Sequence, residues 1–307
     1  MDKQVKLDAQ ETIFFERELE QIKAKTYDKK YPELKIRKLV PVNSDVNPGA
    51  ETITYWQYDE VGMAKIVESY SKDFPRVDVR KKQFSSPVKS LGDSYGYSIQ
   101  DIRKAQMTGT PLEQRRANAA RKAIMQLEDQ IGSFGDADSG LQGLFTNPNT
   151  PELVLAADGA GSSKAFSDKT PDQILRDLNL MANTPVENTN GVETVDTLLL
   201  PVDQYTFIAS TPRSANSDTT ILEYFLTKNP FIQNVDHYYK LAGAGAGATD
   251  RMFSYRRDPD VMTLEIPQDF EQFPPQEEGM EYNVYCHERF GGVIIYYPLA
   301  TLFADGI

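Results

Sequence analysis

The glycine-alanine run at residues 242–248 has the composition of a loop that could hold a phosphate group. Glycine-rich loops do so with backbone N–H groups when a strand precedes the loop and a helix follows it, and a Walker loop adds Lys and then Ser or Thr. Here Thr249 and a β-type sequence follow the run. The composition therefore predicts a flexible loop, with Gly243, Gly245 and Gly247 in it, rather than a phosphate site.

Metal and acid-base chemistry both lack a suitable set of side chains. The sequence has two histidines, His237 and His287, and one cysteine, Cys286, which are too few for a tight His and Cys metal site. His287 and Glu288 are neighbours on a predicted strand, so their side chains point to opposite faces. The aspartates at residues 135–140 lack the glycine offset and the final glutamate of a calcium loop. We therefore predict no catalytic residue, no cofactor and no metal site.

The basic run Arg80, Lys81 and Lys82 offers charge rather than chemistry. In a chain with a net charge of −12, so short a run is typical of a solvated face. Alternatively, it meets acidic patches on a neighbouring subunit, such as residues 16–20 or 277–278, and sets the contacts between subunits. The sequence leaves both interpretations open.

One long helix is the strongest structural signal in the chain. Thr110 and Glu113 form a capping box around Pro111, which stands at the first helical position, where no N–H is needed. The helix is predicted from Pro111 to about Gly132, roughly 33 Å at 1.5 Å per residue. Residues at three- and four-residue steps give it one apolar stripe, made of Leu112, Arg116, Ala119, Ala120, Ala123, Ile124, Leu127 and Ile131.

A two-stranded hairpin is predicted before this helix. Residues 51–58 are β-branched and aromatic and form a strand, residues 59–62 turn the chain, and residues 63–70 return it. Because a hairpin alone is marginally stable, this one must pack on something else.

The rest of the chain alternates between helices and strands. Thr170 and Gln173 form a second capping box that opens a helix, Ser98 opens a short helix, and residues 219–228 form another. Strands are predicted at residues 195–200, 250–257, 261–266 and 281–297.

Residues 1–42 are predicted to form an arm. Its charged amphipathic segment, which includes Phe14 and Phe15, has too few apolar positions to fold alone. Either this segment docks as a helix on its own domain, or the arm packs on a neighbouring subunit and makes Phe14 and Phe15 subunit-contact residues.

Composition excludes several classes of protein. A chain of 307 residues with 40% apolar residues can hold one large or two medium domains. A net charge of −12 argues against a protein whose main task is to grip nucleic acid. With one cysteine no intramolecular disulfide is expected, which fits synthesis in a reducing compartment. No signal peptide or membrane-spanning segment is expected.

Three motifs follow one another in a particular order. The long helix ends in a turn with Gly135 and Asp136, and Gly-Leu-Gln-Gly-Leu follows at residues 140–144. Residues 196–205 read as a strand that stops at a proline and starts a short helix, and residues 286–300 hold Cys-His-Glu-Arg, an apolar run and Pro-Leu-Ala. This order resembles the major capsid proteins of tailed bacteriophages, the family with the Hong Kong 97-like shell fold. The resemblance covers the chain from about Leu34 onwards.

The resemblance implies an α+β chain with the Hong Kong 97-like capsid fold. In this family a hairpin, the E-loop, reaches over an adjacent subunit, and loops of the A-domain gather around the pentamer or hexamer axis. Arg80, Lys81 and Lys82, and Gly243, Gly245 and Gly247, are therefore subunit-contact candidates. The implied parts are an N-terminal arm (1–42), an E-loop region (43–90), a P-domain with the long spine helix and a β-sheet (91–145 and 251–285) and an A-domain (146–250 and 286–307).

The function implied is that of a structural head protein without enzymatic activity. It would assemble with itself into hexamers and pentamers of an icosahedral shell around double-stranded DNA, without sequence-specific DNA binding. Portal, scaffold and decoration proteins would be further partners, and no membrane would be involved. The protein would be made and assembled in the host bacterial cytoplasm and end in the virion.

Two other functions stay open. An encapsulin-like nanocompartment shell shares the fold and encloses a cargo enzyme, so particle size and content distinguish it. An α+β enzyme that binds a phosphorylated ligand at the Gly-Ala loop would need a pocket with convergent polar groups.

Some members of the family join an E-loop Lys to an Asn on a neighbour, with a Glu as catalyst. The positions that match this Glu and this Asn hold His287 and Met280 here. Glu288 would point to the other face of its strand, and a lysine with a pKa of about 10.4 needs a base before it can react. We therefore expect a shell without covalent cross-links.

Overall fold

The computed structural model describes residues 31–61, 78–108, 112–214 and 218–307. The chain divides into two compact units, Met1–Glu33 and Leu34–Ile307, and every described helix and strand lies in the second. Several sequence predictions fall outside the described residues, namely Phe14 and Phe15, the return strand at 63–70, and the helix cap at Thr110 and Pro111.

The second unit begins with a short segment that packs on the long helix. Helix α1 spans Ile36–Leu39 and strand β1 spans Val42–Asn43. Ile36 and Leu39 are buried, so residues 34–42, which the sequence assigned to the arm, belong to this unit. Helix α1 approaches the long helix closely because Gly132 of the long helix faces it. A Cβ on Gly132 would lie 2.7 Å from Ile36 Cγ1.

The predicted hairpin is present, but its strands extend further than expected. Strand β2 spans Thr52–Val61 and pairs antiparallel with strand β3, Asp78–Pro87. Asp59 and Glu60 continue β2, so the turn predicted to start at Asp59 is wrong. Polar residues can extend a strand when a partner strand supplies the hydrogen bonds, and the sequence pattern does not show that partner.

Strand β4 spans Lys89–Ser98, helix α2 spans Ile99–Thr108 and helix α3 spans Leu112–Phe134. Helix α2 begins where predicted, because Ser98 Oγ accepts a hydrogen bond from Asp101 N–H at 3.1 Å. Helix α3 is the predicted long helix, which is confirmed, and its 23 residues give about 35 Å at 1.5 Å per residue.

Helix α3 buries a narrower apolar stripe than predicted. Its buried face includes two carboxylates, Glu128 and Asp129, because partners on other elements meet them there. A single sequence does not show such partners. The predicted apolar stripe therefore missed Glu128 and Asp129, and it included residues that the structure leaves exposed. Among its described members, Ala120, Ile124 and Ile131 are buried, Arg116 is partly buried, and Ala119, Ala123 and Leu127 are exposed.

A group of helices and short strands follows. The capping box at Thr170 is confirmed, since Thr170 N–H donates to Gln173 Oε1 at 2.8 Å. Thr220 Oγ1 caps a later helix by accepting from Glu223 N–H at 3.2 Å. The elements are α4 (Pro171–Asn188), β5 (Thr197–Leu200), α5 (Val202–Ser210), α6 (Ile221–Lys228) and β6 (Asn234–His237).

The C-terminal part consists mainly of strands. They are β7 (Arg251–Tyr255), β8 (Met262–Glu265), β9 (Gln268–Gln272), β10 (Gln276–Glu278), β11 (Glu281–Phe290), β12 (Gly292–Ile295) and β13 (Thr301–Asp305). Short 3-10 turns lie at Ala160–Ser162, Phe166–Asp168, Tyr239–Leu241, Ala246–Ala248 and Pro298–Ala300.

Besides the hairpin, the described strands form three sheets. One has the order β1-β8-β12, and one has the order β13-β7-β5-β6. In the third, β11 pairs with β4 on one edge and with β9 and β10 on the other. The sheet that holds β5 is covered on both sides, because Leu198 and Leu199 point into two different hydrophobic cores.

The strand predicted over residues 281–297 is two strands in different sheets. The extended strand is interrupted at Gly291 and Gly292. Before them β11 pairs with β4, and after them β12 pairs with β8. Gly292 has a φ of 75°, and a Cβ there would lie 2.9 Å from Gln142 O. Glycine allows this change of sheet at small cost, which a run of apolar residues does not reveal.

The predicted domain boundaries cut across these sheets. The boundary between residues 285 and 286 falls inside β11, and the boundary between 250 and 251 separates β7 from its partner β5. Strand partners are set by tertiary pairing, which spacing along the chain does not show. The assignment of the sheets to named domains stays a prediction.

Candidate functional site

The β2–β3 hairpin presents one exposed aromatic face. Trp56 and Tyr58 on β2 point to the same side as Val79 and Lys81 on β3, since Tyr58 lies opposite Lys81 in the register. Trp56 is 46% exposed, Tyr58 60% and Val79 53%. Lys81 Nζ lies 3.4 Å from the centroid of the Trp56 ring and 5.6 Å from that of Tyr58. Cation–π contacts therefore hold this ammonium group over the aromatic face.

The opposite face of the hairpin anchors it to the unit. The Tyr55 ring stacks on Phe84, with 5.3 Å between centroids, and meets Tyr296 edge-on at 4.9 Å. Arg80 and Lys82 project from this second face, because side chains alternate along a strand. The three residues of the predicted basic run are therefore divided between two faces and do not form one patch.

The Gly-Ala loop is tied to the strands beneath it. Ala246 N–H donates to Asp305 Oδ2 at 2.8 Å. Gly243 N–H donates to Asp250 Oδ1 at 3.1 Å, and Gly245 N–H donates to Thr249 O at 2.7 Å. These hydrogen bonds tie the loop, which was predicted to be flexible, to strand β13 and to its own flanking residues. Its anchor, Asp305, comes from the C-terminal strand and was not visible from the loop's composition. Gly243 and Gly247 have φ values of 69° and 68°, which favour glycine.

Asp305 also explains why this loop does not suit a phosphate. Arg251 Nε and Nη2 bind the Asp305 oxygens Oδ1 and Oδ2 at 2.7 and 2.8 Å. Burial alone would raise the pKa of Asp305, but the hydrogen bonds from Arg251 and from Ala246 N–H outweigh it and hold the pKa below its usual value. The Asp305 carboxylate thus already accepts the hydrogen bond from the Ala246 N–H group that a phosphate would need. An open groove of about 570 Å³ lies beside this contact.

His287 and Glu288, which were compared with a cross-linking site, lie on opposite faces of strand β11. Glu288 is fully buried, whereas His287 points to the other face, where its ring centroid lies 6.4 Å from that of Phe273. The predicted opposite orientation of the two side chains is confirmed. Met280 lies in the turn before β11 and is 69% exposed. Cys286 is buried, and burial raises the pKa of its thiol.

Glu288 belongs to a cluster of three carboxylates around one guanidinium group. Arg37 Nε donates to Glu128 Oε1 at 2.7 Å, and Arg37 Nη2 donates to Glu128 Oε2, Asp269 Oδ1 and Glu288 Oε1 at 2.7, 2.9 and 3.3 Å. The Glu128 and Glu288 side chains are 1% and 0% exposed, and that of Asp269 is 63% exposed. Burial and then the charge of Glu128 raise the pKa of Glu288 to about 8, although Arg37 acts in the other direction.

A second buried network holds the same end of helix α3. Asp129 accepts hydrogen bonds from Ile36 N–H at 3.0 Å and from Tyr238 OH at 2.6 Å, and Lys240 Nζ lies 2.5 Å from it. Burial and the bond to Asp129 raise the pKa of Tyr238 well above its usual value. Sequence reasoning missed both networks. The available signal was the pair Glu128 and Asp129 in a helix region that must be buried.

The contact candidates that lie in the described residues fall on two separate surfaces. Arg80, Lys81 and Lys82 are exposed on the hairpin, and Gly243, Gly245 and Gly247 lie in the loop beside β13. Within the part of the chain that the structure describes, no three His, Cys, Asp or Glu side chains are placed to hold a metal ion. No helix in those residues is long and apolar enough to cross a membrane.

The fold is that of viral shell proteins. The capsid of Myoviridae phage XM1 has a TM-score of 0.81 and 18% identity to this chain, covering 95% of this chain and 98% of that one. The capsid of an empty GTA particle, computed with C5 symmetry, has a TM-score of 0.66 and 12% identity, covering 94% and 95%. A virus-like particle from Pyrococcus furiosus has a TM-score of 0.51 and 14% identity, covering 87% and 90%. These similarities confirm an α+β chain with the Hong Kong 97-like fold.

The family model described as "Major capsid protein" matches residues 62–307, which is most of the chain. The chain belongs to this family. Its role is structural, and it forms the shell of a bacteriophage virion. No curated protein sequence matches it significantly.

Proposed function

We propose that copies of this chain assemble through non-covalent contacts into the hexamers and pentamers of an icosahedral head that encloses double-stranded DNA. The exposed aromatic face of the β2–β3 hairpin carries the proposal. Trp56, Tyr58 and Val79 leave apolar area open on one side of an element that is marginally stable by itself. Contiguous exposed apolar area marks an interaction site, and in a shell the nearest partner is another copy of the chain.

The parts of the chain receive the following roles in this proposal. The hairpin is the E-loop, helix α3 is the spine helix of the P-domain, and the Gly-Ala loop belongs to the A-domain. Subunit contacts are assigned to Phe14 and Phe15 of the arm, to Arg80, Lys81 and Lys82 of the hairpin, and to the loop with Gly243, Gly245 and Gly247. The C5 symmetry used for the similar GTA capsid supports pentamers in the shell.

Enclosure of DNA without tight binding follows from charge. The chain carries a net charge of −12, so a wall built of many copies repels the phosphate backbone rather than gripping it. Portal, scaffold and decoration proteins complete the proposed set of partners.

The proposed role has no enzymatic step, including no cross-linking step. The Lys81 ammonium group lies over the Trp56 and Tyr58 rings, at 3.4 and 5.6 Å from their centroids. Glu288 is buried with Arg37 and does not reach the face that holds His287. An amine nucleophile, a reachable base and an amide acceptor are all required for such a bond, and Met280 stands where the acceptor would be.

Electron microscopy of the purified full-length chain and of mature particles tests this function. We expect hollow icosahedral shells from the protein alone or with a scaffold, and DNA-filled heads in mature particles. Boiled in detergent, these particles should give one band near 34.6 kDa. A ladder of covalent multimers would contradict the non-covalent shell, and a monomer under all conditions would contradict assembly.

A nanocompartment shell is the second candidate function, and one observation favours it. The virus-like particle from Pyrococcus furiosus shares the fold, with a TM-score of 0.51. The XM1 capsid is considerably more similar, with a TM-score of 0.81, and therefore a phage head is the first choice. Small particles filled with a co-purifying protein and free of DNA would reverse that order.

A further inference from the structure

Four elements of the shell protein meet at one partly exposed guanidinium group. Arg37 of α1 is bound by Glu128 of α3, Asp269 of β9 and Glu288 of β11. We propose that this cluster is a proton-operated latch, in which a single proton held by Glu288 keeps α1 docked on helix α3 and strand β11. The latch works within one chain, so it does not depend on the proposed assembly.

The charges of the cluster do not balance unless a proton is present. Arg37 supplies one positive charge to three carboxylates, of which Glu128 and Glu288 are shielded from water. Two buried carboxylates in contact with one cation leave a net negative charge in the interior, which is costly. Glu288 is the group that gives way, because it is the more weakly bound to Arg37, at 3.3 Å against 2.7 Å for Glu128.

The second oxygen of Glu288 supports the same assignment. Among the described residues, Glu288 Oε2 is buried without a hydrogen-bond partner. An ionised oxygen in that position would lose its hydration without compensation, whereas a neutral carboxyl group loses much less. The neutral form therefore fits the site better than the ionised form.

Arg37 is the described cation that acts on Glu288. Strand β4 places Leu91 opposite Glu288, and the basic residue that acts on Asp269 from α3 is Arg121, whose guanidinium group stacks on Phe270 at 5.8 Å.

The direction of the pH effect follows from linkage. The pKa of Glu288 is about 8 when α1 is docked, against a reference value of 4.5 for a free glutamate. In this proposal undocking of α1 lets water reach Glu288 and so removes the burial that raises its pKa, although it also removes Arg37, which lowers it. Between these two values the docked state then holds up to one proton more than the undocked state, so docking weakens as the pH rises, by at most about tenfold per pH unit. Below the lower value and above the upper value the equilibrium no longer depends on this group.

Hydrogen exchange of the unassembled full-length chain between pH 5.5 and 8 tests the latch. After correction for intrinsic exchange rates, the opening equilibrium of the peptide covering residues 34–43 should rise with pH in the native sequence, by more than about threefold and at most about tenfold per pH unit. Glu288→Gln, which imitates the neutral carboxyl group, should hold this equilibrium constant to within about twofold over the same range. Glu281→Gln, an exposed position at the start of β11, should keep the native slope. A native slope in Glu288→Gln, or no slope in the native chain, would overturn the proposal.

Infrared spectroscopy gives a second readout that does not depend on a variant. The native chain should show the carbonyl band of a protonated carboxyl group at pH 6.5, and the band should disappear with a midpoint near pH 8. Glu128→Gln should lower that midpoint, because it removes the buried negative charge beside Glu288. A native spectrum without the band at pH 6.5 would refute the latch even if the Glu288 variant does not fold.

Discussion

Among the described residues, several buried charges are held by ion pairs with groups of opposite sign. Lys169 and Asp177 are both fully buried, with 2.5 Å between Lys169 Nζ and Asp177 Oδ2, and Arg176 Nη2 donates to Asp177 Oδ1 at 2.7 Å. A buried pair adds little to stability over an apolar pair of the same shape, but removal of one partner leaves a charge without compensation. Substitution of one residue of this pair should therefore destabilise the core around α4.

We predict that Asp177→Asn lowers the free energy of unfolding by about 3–5 kcal/mol, because Lys169 then remains buried without its closest carboxylate. Urea denaturation of the unassembled chain measures the change. Asp172→Asn, on the same helix, is the matched control. Its carboxylate is 75% exposed and pairs with Arg213, so its removal should cost less than about 1 kcal/mol. Equal losses in the two variants would mean that the Lys169–Asp177 pair is not the source of the effect.

At the scale of elements, the features that the sequence predicted correctly are those with local causes. Helices α2, α4 and α6 begin at Ser98, Thr170 and Thr220, where a side chain in the sequence itself caps the first turn. The length of helix α3 was likewise predictable from periodicity. Capping and periodicity involve residues a few positions apart, and such relations are visible in one sequence.

The features that were missed depend on partners distant in the chain. The break at Gly292 is required by the approach of Gln142, and the tether of the Gly-Ala loop comes from Asp305. At the candidate site, Arg80, Lys81 and Lys82 were predicted as one basic run, and neither their division between two faces nor the contact of Lys81 with Trp56 was predicted. When two side chains come into contact because their strands pair, the residues next to each of them in the sequence do not reveal that contact.

At the scale of the whole molecule, the hairpin makes few contacts with the other elements of its own chain. Its base is fixed by the contact of Tyr55 with Tyr296, whereas its aromatic face is open. Trp56 is the one tryptophan of the sequence, so its fluorescence reports on this face alone. If neighbouring subunits cover the face, assembly should shift the Trp56 emission to shorter wavelength and reduce its quenching by acrylamide.

Reversal of the charge at Lys81 should separate assembly from folding. Lys81→Glu removes a cation–π contact worth about 0.5–1 kcal/mol at an exposed site, so the thermal midpoint of the unassembled chain should change little. A wrong charge at an interface costs several kcal/mol, and the protein concentration needed for shell formation should therefore rise more than about tenfold. Sedimentation of shells measures that concentration. Lys89→Glu makes the same change at an exposed lysine outside the hairpin and should assemble normally. Normal assembly of Lys81→Glu together with a large fall in its thermal midpoint would show that Lys81 serves the fold of its own subunit instead.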